Sequence, residues 1–271
     1  MIRLSSGFSR HRKRPHRFGA RLQCYDSPMI KPLTIAHTSD VHLGNGDEGA
    51  PAREAFARVV DAVADTRADL FLIAGDLFDH NRIGRAVIDF VYEALTRVEC
   101  PTVIIAGNHD CWEERAVLKR MNFDKAGAHV RLLDAVDGAT FEFPELHATV
   151  WGRCMVDHDR SNKPLAGAPP RTRDLWHIGM AHGLYSDEAD CERSSLITPA
   201  EIEASGFDYL ALGHVHAHRR MKHGATLACY PGVPAPQYGT EASGAMALVE
   251  LRPGKEVHVR QHVLAACGGA E

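Results

Sequence analysis

Residues 69–76 read Asp-Leu-Phe-Leu-Ile-Ala-Gly-Asp. An unbroken apolar run closed by Gly-Asp spells a strand buried on both faces, not one alternating between core and water. Immediately before it, residues 51–67 place Phe56, Val59, Val60 and Val63 at helical spacing, with Pro51 suited to a first turn. After it, residues 83–98 repeat that spacing with Val87, Phe90, Val91, Ala94, Leu95 and Val98. Further out lie two more apolar runs, Leu-Thr-Ile-Ala-His-Thr-Ser at 33–39 and Thr-Val-Ile-Ile-Ala-Gly at 102–107. The order is therefore βαβαβ, which requires a parallel sheet with helices packed on it.

Past residue 128 the pattern changes. Short strands are expected at 129–133, 148–152, 176–181, 207–212, 225–229, 245–251 and 256–263, with a helix at 199–205 and a Pro/Gly-rich loop at 156–175. This half suggests a mixed or antiparallel sheet. Together the halves predict an α/β protein with two facing mixed β-sheets flanked by helices, a four-layer α/β/β/α sandwich.

The chain has 271 residues, 45% hydrophobic and 24% charged, which excludes collagen-like, low-complexity and wholly disordered classes. It has no apolar run of the ~18 residues needed to span a membrane. Its seven cysteines contain no C-x-x-C, which argues against a disulfide framework or zinc ribbon and for a reducing, cytoplasmic setting. Residues 1–31 hold eight Lys/Arg against one acid, leaving 23 basic against 34 acidic side chains over 32–271. The body is acidic, so nucleic acid would need bound metal or a local patch to reverse the field. The basic arm lacks apolar periodicity and the apolar stretch of a secretory signal. A disordered tail, an organellar transit peptide and an upstream start codon before Met29 all fit it. The expected division is a basic extension at 1–31 and a single domain at 32–271.

Polar residues cluster at the predicted strand ends, where open α/β sheets bind ligands. Asp40 and His42 follow the first strand, Asp76 the second, and Asn108, His109 and Asp110 the third. His182 ends a later strand, and His214 and His216 follow another. Five loops thus bring two Asp, one Asn and four His to one rim, with His109 and Asp110 beside them. Imidazole, carboxylate and amide oxygen without thiolate suit Mn, Fe or Zn. Seven ligands exceed one tetrahedral site and fit two ions sharing a bridging carboxylate, the usual machinery for attack on phosphorus.

In this sequence D-V-H (40–42), G-D (75–76), G-N-H-D (107–110), H-G (182–183) and G-H-V-H (213–216) occur in the order of the five signatures of the calcineurin-like metallophosphoesterases, a family the chain resembles. The wording H-T-S-D-V-H-L-G (37–44), G-D-L-F-D (75–79) and G-F-D-Y-L-A-L-G-H-V-H (206–216), followed by Y-P-G (230–232), is most similar to the nuclease subunits of double-strand-break repair exonucleases. Those subunits usually add a DNA-capping region of ~100 residues, which is not expected here.

The resemblance implies a metal-dependent hydrolase acting on phosphoester bonds through a metal-bridged hydroxide. Asp40, His42 and His216 would hold the first metal, and Asn108, His182 and His214 the second, with Asp76 bridging. His109 would face the substrate and Asp110 would orient it. Two divalent ions are expected, manganese foremost, with iron or zinc as alternatives. The partners would be a phosphoester substrate, nucleic acid included, and a second subunit if the chain is a nuclease. A phosphatase or phosphodiesterase acting on a small nucleotide or metabolite uses the same residues, and a non-catalytic scaffold of the same fold is a third reading.

Other residues have plainer expectations. His37 reads as a buried core histidine, His80 as a loop residue with a place on the rim as the alternative, and His158 as a loop residue with a substrate role as the alternative. Arg219, Arg220, Lys222 and His223 read as solvated turn residues, with binding of substrate phosphates as the alternative, and Asp79 as a residue near the site that supports a ligand or catalytic side chain. Gly44 to Gly49 spells G-x-G-x-x-G, but Asp47 and Glu48 inside it would repel a pyrophosphate.

Overall fold

In the computed structural model, residues 30–44, 50–171, 174–188, 192–235 and 244–264 are described. Residues 1–29 of the basic arm and residues 45–49 of the glycine-rich turn lie outside these ranges. In chain order the elements begin β1 (Leu33–Thr38), α1 (Ala50–Asp65), β2 (Leu70–Ala74), α2 (Arg85–Thr96), β3 (Thr102–Ile105), β4 (Val130–Leu132), β5 (Ala139–Phe143), β6 (Ala148–Gly152) and β7 (Trp176–His182). They continue β8 (Leu184–Tyr185), β9 (Leu196–Ile197), α3 (Pro199–Ser205), β10 (Tyr209–Gly213), β11 (Arg219–His223), β12 (Thr226–Tyr230), β13 (Ala245–Leu251) and β14 (His258–Val263).

Two six-stranded sheets form. One has the order β14-β13-β1-β2-β3-β4, with β1 to β4 parallel. The other has the order β11-β12-β10-β7-β6-β5, parallel at its centre and antiparallel at both edges. Ile35, Leu72 and Val103 of the first sheet share a buried cluster with Val150, Ile178 and Ala211 of the second, so the sheets face each other. Helices α1 and α2 cover the outer face of the first sheet through Phe56, Val59, Val63, Val87, Val91 and Leu95. Each such side chain contributes ~1.5–3 kcal/mol when taken from water. On the second sheet, α3 buries Ile202 with Phe207 and Leu210. Its start is fixed by a reciprocal Thr198–Glu201 capping box and Pro199, its end by left-handed Gly206. The predicted four-layer sandwich is the observed one.

Four strands differ from expectation: the short parallel pair β8 and β9, and the edge strands β11 and β5. Arg219 to His223, read as a charged turn, is edge strand β11, where only Met221 is buried. Charge at this edge discourages pairing with another chain. Ala139 to Phe143, given no element in the sequence reading, is edge strand β5 against β6.

Candidate metal centre

The carboxyl ends of β1, β2 and β3 meet those of β7 and β10 at one rim. The chain leaving β1 is tied to the chain leaving β2, with Asp40 N–H donating to Gly75 O at 3.1 Å and His42 N–H to Asp76 O at 3.1 Å. Register places His182 beside Gly213. All seven residues expected as ligands come together. Asp76 Oδ2 lies 3.2 Å from His182 Nε2. Asn108 Oδ1 lies 3.0 Å from His182 Nε2 and 2.9 Å from His214 Nδ1. Asp40 Oδ1 lies 3.8 Å from His216 Nε2, and the His42 and His216 ring centroids are 5.4 Å apart. Three donor triads gather within 4.8 Å, Asp40–His42–His216, Asp40–Asp76–His182 and His42–Asp79–His109.

The backbone is strained at this rim. Asp40, His42, Asp76 and His214 all have positive φ, between 52° and 101°. Such a conformation costs ~1–3 kcal/mol for a residue with a side chain. Of seven such non-glycine residues among the described ones, four belong to the proposed ligand set, so strain concentrates at the site. Gly107 permits the close approach, since a Cβ there would sit 2.2 Å from Asp76 Oδ1.

The donor set fits a cation better than it fits itself. His182 Nδ1–H donates to Ala74 O at 2.8 Å, so Nε2 faces the oxygens of Asp76 and Asn108. Three acceptors then converge with one proton among them at most. Burial disfavours a charged His182, yet the Asp76 carboxylate overrides it and pushes the imidazole up to about 10. Burial would raise Asp76, but the facing His182 and His42 rings hold it well below the usual carboxylate range. Burial, then repulsion from His182, lowers His214 to about 4. His42 is buried and its Nε2 has no hydrogen-bond partner; its Nδ1 is 3.2 Å from Asp79 Oδ1 without the angle of a hydrogen bond. An uncompensated buried ring nitrogen beside carboxylates is what a metal ligand looks like before its ion is added.

His109 lies beside this set. Its N–H donates to Asp76 Oδ1 at 2.8 Å, and its ring, 42% exposed, stands 4.6 Å from that of His42. Asp110 does not orient it. The Asp110 carboxylate is fully buried and accepts from Gly107 N–H at 2.7 Å and Phe78 N–H at 3.2 Å. Burial, then repulsion from Asp76, raises it to about 7. The His109 ring is held instead by Asp79, donating from Nδ1 to the Asp79 carbonyl oxygen at 2.7 Å. The G-D-x-x-D spacing signals this residue, and its place beside the site in support of another side chain is the expected one. His158 lies in a loop, as expected, and its ring stands 5.1 Å from that of His214, near the site as the alternative reading had it. No spacing in the sequence signals it. His37 is a buried core histidine, as expected. Of the basic run, Lys222 pairs with Glu256, Arg220 bonds to Val259 O and Arg219 stacks on Tyr185.

A sandwich of this topology gathers imidazoles and carboxylates at one rim, a donor set that suits a divalent metal and places the chain among the metallophosphoesterase-like folds. The sequence model of the calcineurin-like phosphoesterases matches residues 33–218, and the chain belongs to that family. The chain is 28% identical over 278 residues to a subunit of the SbcCD nuclease of Bacillus subtilis, spanning 87% of this chain and 70% of that one. It is 28% identical over 231 residues to the DNA double-strand break repair protein Mre11 of Methanopyrus kandleri, spanning 75% of this chain and 49% of that one. Among solved structures, TT1561 of Thermus thermophilus superposes with a TM-score of 0.60 at 15% identity, covering 87% of this chain and all of that one. The chain spans about half the length of most of the curated relatives it matches. No helix among the described residues is long and apolar enough to cross a membrane.

Proposed function

We propose that the chain is a two-metal phosphodiesterase that hydrolyses nucleic-acid strand ends, in the manner of a DNA-repair exonuclease, in the cytoplasm. The observation that carries the two-metal part is the convergence of Asp76, Asn108, His182 and His214 at 2.9–3.2 Å with too few protons to satisfy them. Asp40, His42 and His216 would hold one ion, Asn108, His182 and His214 the other, and Asp76 both. When bound, the ions, manganese foremost, supply positive charge at the phosphoryl oxygens and lower the pKa of a shared water into the neutral range. His109 faces outward from Asp76. Its Nδ1–H is committed to the Asp79 carbonyl, which leaves Nε2 to carry the proton delivered to the leaving oxygen. The nucleic-acid part is supported by the named nuclease and repair relatives, and a partner subunit goes with it.

Residues 32–271 constitute the catalytic domain, and the basic extension before them is dispensable. A chain beginning at Met29 therefore keeps its specific activity; loss of folding on truncation contradicts this.

The test is a metal-dependent screen with bis-p-nitrophenyl phosphate, p-nitrophenyl phosphate, cyclic nucleotides and linear single- and double-stranded DNA. Elemental analysis of fully loaded protein is expected to give near two ions per chain, and Asp76→Asn to lose both ions and activity. Hydrolysis of cyclic nucleotides with no action on DNA replaces the nuclease reading with a small-molecule one. Asp76→Asn protein that keeps both ions sinks the bridging role.

A further inference from the structure

Seven non-glycine residues among the described ones have positive φ, and one of the three outside the ligand set is Ser195, at 51° and fully buried. Arg67 closes the turn after α1, and His147 caps a single 3₁₀ turn. Ser195 has neither setting. It precedes the two-residue strand β9, and its backbone joins two segments. Its N–H donates to Asp159 O at 3.2 Å, and its carbonyl accepts from Leu184 N–H at 3.0 Å. Glycine would relieve the conformation. Serine adds a hydroxyl, and that hydroxyl is used twice: Asn162 Nδ2 donates to it at 2.8 Å, and His158 Nδ1 lies 3.1 Å away.

That arrangement sets the histidine. Asn162 donates to one lone pair of the buried Ser195 oxygen, and among the described residues His158 Nδ1 is the acceptor within reach of the hydroxyl proton, which would otherwise be buried unpaired. The tautomer this selects carries its proton on Nε2. Among the described residues no protein group bonds to that nitrogen. The ring stands 5.1 Å from that of His214, on the Asn108–His182–His214 side of the centre. On the opposite side, His109 stands 4.6 Å from His42. Two imidazoles thus flank the proposed ion pair, each held at Nδ1 by a neighbouring oxygen.

We propose that His158 is a substrate-binding residue whose Nε2–H donates to a non-bridging oxygen of the phosphoryl group under attack, with Ser195 as its positioning residue. This rests on the reading of the site as a phosphoester hydrolase. A donor aimed at an anionic oxygen strengthens binding, and it does so whatever alcohol leaves, which separates it from His109.

The experiment uses the metal-loaded full chain and the variants His158→Ala, His158→Gln and Ser195→Gly. Inorganic phosphate affinity is measured by calorimetry, kcat and KM on diesters with good and poor leaving groups, and metal content by elemental analysis. His158→Ala is expected to weaken phosphate about tenfold or more. It should raise KM by a similar factor for every leaving group while metal content stays that of the unaltered protein. Gln, which keeps an N–H near the Nε2 position, restores much of the affinity. Ser195→Gly, which relaxes the backbone and removes the hydroxyl, falls between. Unchanged phosphate affinity in His158→Ala overturns the proposal, and so does a parallel loss of metal, which would make His158 a ligand. If the unaltered protein hydrolyses no phosphoester, the proposed function fails on its own, and phosphate calorimetry still decides the role of His158.

Discussion

At Asp110 two backbone N–H groups outcompete a neighbouring imidazole. The G-N-H-D turn folds back so tightly that the carboxylate braces Gly107 and Phe78, and His109 turns to Asp79 instead. Donor chemistry was legible in the sequence: few residue types bind a hard or borderline ion, and they recurred at strand ends. Who holds whom was not, because that depends on φ angles and ångström-scale packing in the turns. What holds His158 was hidden for the same reason, since the serine that fixes it lies 37 residues away. The division of labour at the rim gives a sharp prediction. His109→Ala should leave metal content nearly normal and lower turnover ~10²–10⁴-fold, the range for a positioned proton donor. The loss should shrink for nitrophenyl esters, whose leaving groups need little protonation. Metal lost together with activity on all leaving groups would make His109 a ligand or a structural residue.

The central strands were read within a residue or two because unbroken apolar runs such as Leu70 to Ala74 have no other stable home. The edge strands β5 and β11 were missed. An edge is wetted on one side, so its pattern is diluted by charge, as in Arg219 to His223. Between the sheets, β1 and β10 are joined by a polar contact, His37 Nδ1 lying 2.7 Å from the Tyr209 hydroxyl with both residues fully buried. Burial, with repulsion from His218, lowers His37 to about 3. The unfolded chain takes up a proton near pH 6.5, while the folded protein refuses it until about pH 3. Stability from this residue is therefore whole above pH 6.5 and drains as pH falls toward 3, at roughly 1.4 kcal/mol per pH unit. In urea titrations from pH 7 to 4, His37→Gln should show a shallower loss of stability than the unaltered protein. Parallel curves would mean that another group governs acid unfolding.

Over the whole molecule, the ligand set straddles the two sheets. Asp40, His42, Asp76 and Asn108 follow strands of one, while His182, His214 and His216 end or follow strands of the other. Ions held by the proposed ligands would tie the sheets together, so metal affinity would become folding stability, about 2.7 kcal/mol for one ion at a hundredfold excess over its Kd. For a domain of this size that is roughly 5–10 °C in Tm. Protons compete for the same atoms. Without metal, Asp76 keeps the His182 ring charged up to about pH 10, above its ordinary 6.5. That pairing supports the metal-free fold fully below pH 6.5 and is lost as pH rises through about 10. An ion needs the neutral ring, so its affinity strengthens over the same range. These are one proton seen from two sides, and its loss widens the gap between metal-loaded and chelator-treated protein as pH rises. Thermal unfolding with manganese and with EDTA at pH 6, 7.5 and 9 should show a Tm difference that grows at each step. A difference that is flat with pH, or no effect of chelation at all, would show that the ions do not displace the His182 proton.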